Sequence, residues 1–230
     1  MTNHNLVALL AEIKNLNSPV GAFYLSKRLS IPTATIGRML KAAEDQGYLF
    51  SMSNKGRTLT EKGLLFLSHQ ISLEIKKKAA DNLINSSVGI QTDKLIEILY
   101  VRKLLEPFAI IDTCKNATDE QIEELENIMF EHMLEIRRGN YGSEQDIRLH
   151  LTLAKYSGNA TIHNILKLLL AEGSIYTTFA SVPDEVMKKQ ITRHDKIISS
   201  LKKRDCAEAS LEMENHIELI IDNVRHYSQI

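Results

Sequence analysis

No apolar run in this 230-residue chain approaches the length needed to cross a bilayer, roughly 20 residues, which excludes a membrane-spanning helix. Met1 to Leu10 lacks the basic start and small-residue cleavage pattern of a secretory signal, so the expected compartment is the cytoplasm. Cysteine is scarce. Cys114 and Cys206 stand far apart without CxxC spacing, which argues for a reducing cytosol, against a disulfide framework, and for two small buried apolar side chains. Glycine and proline are few, and neither an internal repeat nor a low-complexity tract is present. What remains is a globular composition, long enough for one large domain or two small ones.

Charge is unevenly divided. Residues 1–80 carry 11 Lys+Arg against 5 Asp+Glu, and residues 81–230 carry 17 against 24. A basic head on an acidic body points to a polyanion as partner of the head alone.

In the head, Asn5 to Leu16 has helical spacing, with Leu6, Leu9, Leu10 and Ile13 on one face. Ser18-Pro19 reads as a helix start. Ile31-Pro32 is a tight break, and a further helix is expected from about Thr33 to Gln46, ended by Gly47. Two short helices about a tight turn describe a helix-turn-helix, with Thr33, Thr35 and Arg38 placed to meet bases and phosphates. Tyr48 to Leu59 alternates apolar and polar residues around Ser-Asn-Lys-Gly, a hairpin signal. With Lys55 and Arg57 at its tip, the hairpin would be a wing resting on the DNA backbone or in the minor groove. A helix from Glu61 to about residue 80 closes the head. A winged-helix protein-interaction module is the alternative to DNA binding.

Residues 81–92 lose the charged helical pattern and gather Asn, Ser and Gly, as a linker does. Residues 93–230 read as an all-helical bundle, with a capping box at Thr118-Asp119-Glu120-Gln121 and an N-cap at Asn159. The helix after Thr118 carries Ile122, Leu125, Met129 and Met133 as its stripe. Asp146 and His150 lie one turn apart on one helix face. His194 and His216 lie in later helices, each followed by apolar residues. One Asp and three His form a plausible set for zinc, nickel or manganese, built from facing helices of a bundle. His4, His69, His132 and His226 sit in polar or terminal settings and carry no role; His163 is ambiguous.

The body resembles the all-helical, effector-binding FCD domain of the FadR-type branch of GntR bacterial transcription regulators. The likeness rests on Tyr100-Val101-Arg102-Lys103-Leu104-Leu105-Glu106, Asp146 with His150, Ser157-Gly158-Asn159, His194-Asp-Lys-Ile-Ile and Met213-Glu-Asn-His216. The resemblance implies a divalent metal held by Asp146, His150, His194 and His216, zinc before nickel or manganese. It further implies a small effector, an organic acid, completing the metal's shell. Arg102 matches a family arginine able to fork onto such a carboxylate; the alternative is an i,i+4 ion pair with Glu106. The head departs from the GntR pattern: Ile36-Gly37-Arg38-Met39-Leu40 stands where that family has an Arg-Glu-Ala-Leu run.

The expectation is a mainly α protein, a winged helix-turn-helix with a small hairpin wing followed by an FCD-type bundle. It would act as a homodimeric regulator, binding an operator in double-stranded DNA, without enzymatic turnover. The rivals are a metal-dependent hydrolase, which needs a general base and a substrate cleft, and a regulator whose four polar residues merely tie helices together.

Overall fold

Leu9, Leu10, Leu25, Ile36 and Leu40 are sealed from solvent and form the centre of the N-terminal core. They are brought together by α1 (Asn3–Leu16), α2 (Ala22–Leu29) and α3 (Thr33–Asp45). Truncating any one of them to Ala would cost roughly 2–5 kcal/mol. The turn between α2 and α3 is tight. Ser30 takes the left-handed conformation (φ 55°), and Ser26 donates from its hydroxyl to the Ile31 carbonyl at 2.7 Å. An antiparallel hairpin of β1 (Leu49–Ser51) and β2 (Arg57–Leu59) follows, then α4 (Glu61–Asn85).

Ser18-Pro19 does not start α2. The helix begins at Ala22, because Val20 exchanges both backbone hydrogen bonds with Arg57 (3.0 Å each) and is held extended beside β2. Gly56 makes this approach possible: its φ is +110°, and a Cβ there would lie 2.5 Å from the Val20 backbone.

The computed structural model describes residues 3–52, 55–85, 92–140, 142–170 and 184–227, which divide into units Met1–Ala79 and Ala80–Ile230. The expected linker, 81–92, is helical as far as Asn85 and again from Thr92, while residues 86–91 lie outside the described residues. The sequence pattern also predicts a helix near Ser174, which likewise lies outside the described residues.

Beyond the end of α4, the second unit contains, among the described residues, α5 (Thr92–Asn116), α6 (Asp119–Arg137), α7 (Ser143–Tyr156), α8 (Ala160–Leu170), α9 (Asp184–Lys202) and α10 (Cys206–Tyr227). The Thr118 capping box is formed, and Asn159 Oδ1 accepts from the amides of Thr161 and Ile162. α5 packs along α10, α10 along α9, and α7 against α5, α6 and α8, around a core that includes Leu99, Leu125, Leu149, Leu166 and Ile217. The chain is thus mainly α: N-terminal helices with a small hairpin, then an all-helical bundle.

The cysteines depart from expectation. Cys114, at the end of α5, and Cys206, at the start of α10, are joined as a disulfide across 92 positions of sequence. The antiparallel packing of α5 on α10 is what brings them together.

Candidate metal centre

α7 presents Asp146 and His150 inward, one turn apart, and α9 and α10 bring His194 and His216 to the same point. All four are buried, His194 and His216 completely. One ligand atom from each lies within 4.8 Å of all the others, a grouping that could hold a metal ion. Asp146 Oδ1 is 3.3 Å from His194 Nε2 and 3.7 Å from His150 Nε2, and the Nε2 atoms of His194 and His216 are 3.2 Å apart. An ion bound at about 2.0–2.2 Å keeps its ligand atoms roughly 3 to 3.5 Å apart; the 3.2 and 3.3 Å separations fall in that range and the 3.7 Å one lies just above it, so the cluster is close to the size one ion needs.

The outer contacts of the imidazoles support the same fit. Glu106, from α5, hydrogen-bonds His150 Nδ1, which turns Nε2 toward the centre. That Nε2 is buried and has no hydrogen-bond partner, an arrangement costly for a closed apolar core and ordinary for a metal ligand. His132, from α6, meets His194 Nδ1 at 3.2 Å and leaves His194 Nε2 facing inward. Glu106 is in turn held by Arg102, whose Nε donates to Oε1 at 2.6 Å; both are buried. The i,i+4 ion pair weighed for Arg102 is therefore formed.

Electrostatics divide the histidines. Burial would push the Glu106 carboxyl up, but the Arg102 and His150 charges outweigh it and hold it near 2. Burial alone would lower His150, but Glu106 and Asp146 raise it to about 9. His194 is pushed down to about 3, chiefly by burial, and His216 is also held well below its ordinary value by burial and by His194. Their lone pairs are available to a cation at neutral pH. Asp146 stays ionised: burial opposes this, but the surrounding histidines prevail.

The sequence offers Glu106 only as an ion-pair partner of Arg102, and gives His132 no role. Glu106 is 44 positions from His150, beyond any spacing rule. His132 left a usable signal, since it continues the stripe Ile122, Leu125, Met129 at helical intervals. It is buried, while Met133 is only half-buried. Gly142 gives it room: at φ +62°, a Cβ on Gly142 would sit 2.3 Å from His132 Cδ2.

In the first unit, Thr33 and Arg38 are exposed on α3 and Thr35 is half-buried, with Arg38 Nη2 3.4 Å from the Thr35 hydroxyl. Lys55 is exposed at the hairpin turn. Arg57 is not at the tip: it opens β2, and its Nε donates to Glu44 of α3 at 3.1 Å. The Val20 bridge fixes it there.

A family model described as the FCD domain matches residues 97–219. The HTH-type transcriptional repressor NanR of Cronobacter sakazakii is 23% identical over 181 residues, covering 74% of this chain and 69% of NanR. Among solved structures, Streptococcus agalactiae GntR aligns with a TM-score of 0.52 at 22% identity, over 94% of this chain and 98% of its own. E. coli McbR/YncC aligns with a TM-score of 0.54 at 13% identity, over 97% and 94%. At such identities the structural matches establish a shared fold.

Proposed function

The chain belongs to the FCD-domain family and has the fold of GntR-type regulators, and from this premise we propose that it is a ligand-responsive transcription regulator of the FadR-type branch. The relatives are transcription regulators rather than enzymes, and the reading is one of binding and switching. Residues 1–80 would be the DNA-binding head, 81–92 the connector, and 93–230 the sensor and dimerisation domain, in the cytoplasm.

The observation that carries this reading is the convergence of Asp146, His150, His194 and His216 in a buried cluster, with Glu106 holding the outer nitrogen of His150. A divalent ion there, zinc before nickel or manganese, would offer an open position to an organic-acid effector. The four residues would hold the ion, with Glu106 and His132 orienting two of the imidazoles. Arg102 would meet an effector carboxylate by sharing or exchanging its present partner, Glu106. An effector that binds one arrangement of the body more tightly than another changes DNA affinity, and DNA changes effector affinity by the same factor.

On the head, Thr33, Thr35 and Arg38 would meet the major groove and Lys55 the backbone, with Arg57 reaching a phosphate only by leaving Glu44. A homodimer would read two half-sites about 34 Å apart, or a multiple.

The test is elemental analysis of protein purified without chelator, paired with operator binding measured by fluorescence anisotropy. The double variant His150→Ala/His216→Ala should lose stoichiometric metal and effector response while still binding DNA. Full metal occupancy in that variant would refute the ligand assignment. Wild-type protein free of any stoichiometric metal would favour the rival in which the four residues only tie helices together.

A further inference from the structure

The bundle contains a second reactive feature, independent of the metal reading. Cys114 and Cys206 have their Cα atoms 5.5 Å apart and are bonded through sulfur. Their surroundings differ. Cys114 is buried on α5, at 1% exposure, whereas Cys206 is half-buried as the first residue of α10. Asp205 caps that helix, its Oδ1 accepting from the Glu208 amide at 3.1 Å. Arg204 reaches across to the far side of the bridge, donating from Nη1 to the Cys114 carbonyl at 3.0 Å and to the Ala117 carbonyl at 2.7 Å. The joint between α5 and α10 is therefore held by hydrogen bonds of its own. Opening the sulfur bridge leaves those in place and the two cysteines still adjacent.

We propose that Cys114 and Cys206 form a reversible thiol–disulfide site, with Cys206 as the thiol that exchanges with low-molecular-weight disulfides. Access dictates the order of events, because Cys206 is partly exposed and Cys114 is not. The positive end of α10 favours its thiolate, against the nearby Asp205 carboxylate, while the Arg204 charge is matched by Asp119 at 2.6 Å. The Cys206 thiolate attacks one sulfur of a small disulfide, RSSR. That S–S bond breaks, one RS⁻ leaves and takes a proton from solvent, and Cys206 carries the mixed disulfide. Cys114 then gives up its proton and attacks the Cys206 sulfur. The Cys114–Cys206 bond forms, and the second RS⁻ departs with that proton. Two electrons pass from the protein to RSSR, which is reduced to two RSH. The closed bridge fixes the end of α5, the helix of Arg102 and Glu106, to the start of α10, the helix of His216.

The test uses the full chain equilibrated with mixtures of reduced and oxidised glutathione, trapped with a maleimide and mapped by mass spectrometry. Oxidising mixtures should give an unlabelled form two mass units lighter, reversed by reducing mixtures. In the reduced protein, Cys206 should be labelled at least about tenfold faster than Cys114, the expected consequence of exposure and thiolate character. Cys114→Ser should accumulate glutathione on Cys206, and Cys206→Ser should leave Cys114 unmodified. The absence of a bridged form in the wild-type chain at any glutathione ratio overturns the proposal, whatever the variants do. So does equal or faster labelling of Cys114.

Discussion

Glu106 on α5 and His150 on α7 share a buried hydrogen bond through His150 Nδ1, which fixes the direction in which His150 offers its other nitrogen. Outer contacts of this kind typically set metal affinity by 10- to 100-fold. Glu106→Gln keeps the shape but removes the negative charge that makes His150 a strong donor. Its metal dissociation constant, measured by competition with a chromophoric chelator, should rise by about that factor. Thermal stability should fall as well, because Arg102 is left buried without its carboxylate. Unchanged affinity would mean that His150 is not a ligand.

The same pair gives the cluster a proton to release. With no metal bound, His150 is held protonated up to about 9, so at pH 7.5, a value set at about one unit above the free imidazole, its Nε2 still carries a proton. A metal can take that nitrogen only by displacing the proton, whereas His194 and His216 are already neutral. Calorimetry of metal binding in buffers of different ionisation enthalpy should therefore report close to one proton released at neutral pH. The number should fall toward zero as the pH is raised past about 9. Apparent affinity should rise with pH over the same range and level off above it.

Gly142 tests the part played by His132. A Cβ at Gly142 would collide with the His132 ring at 2.3 Å, and its φ of +62° disfavours any other residue. Gly139 provides the control: its φ is +83°, but a Cβ there meets nothing within 4 Å. Both Gly→Ala variants should lose on the order of 1–2 kcal/mol from the left-handed backbone. Only Gly142→Ala should also weaken metal binding, by displacing the imidazole that orients His194. Equal metal affinities for the two variants would remove His132 from the site.

Much of this architecture was legible in the chain because it is local or periodic. The stripe Ile122, Leu125, Met129 locates the buried face of α6, and the Thr118 capping box and Asn159 cap are formed as their spacing requires. Asp146 and His150 are one turn apart and could be paired from spacing alone. What was hidden depends on which helices become neighbours. The Cys114–Cys206 bridge, the Glu106–His150 contact and the His132–His194 contact each join different helices, with separations of 92, 44 and 62 positions. No local rule reaches so far. The Val20–Arg57 pairing, which overrides the helix-start signal at Ser18-Pro19, is the same kind of effect on a smaller scale.

That pairing also separates the two basic residues of the hairpin. Lys55 is exposed at the turn, while Arg57 lies in β2 with its guanidinium on Glu44. A cation already matched by a carboxylate displaces fewer counterions from DNA than a free one, and each phosphate neutralised contributes about 0.9 to the slope of log K against log salt. Lys55→Ala and Arg38→Ala should each lower that slope by about one. Arg57→Ala should lower it by distinctly less, and Glu44→Gln should raise the affinity of the intact head by releasing Arg57. Anisotropy titrations against duplex DNA across a salt series would measure all four. If Arg57→Ala costs as much slope as Lys55→Ala, Arg57 leaves Glu44 on DNA binding and the wing rearranges. If none of the substitutions changes the slope, the basic head meets some other partner.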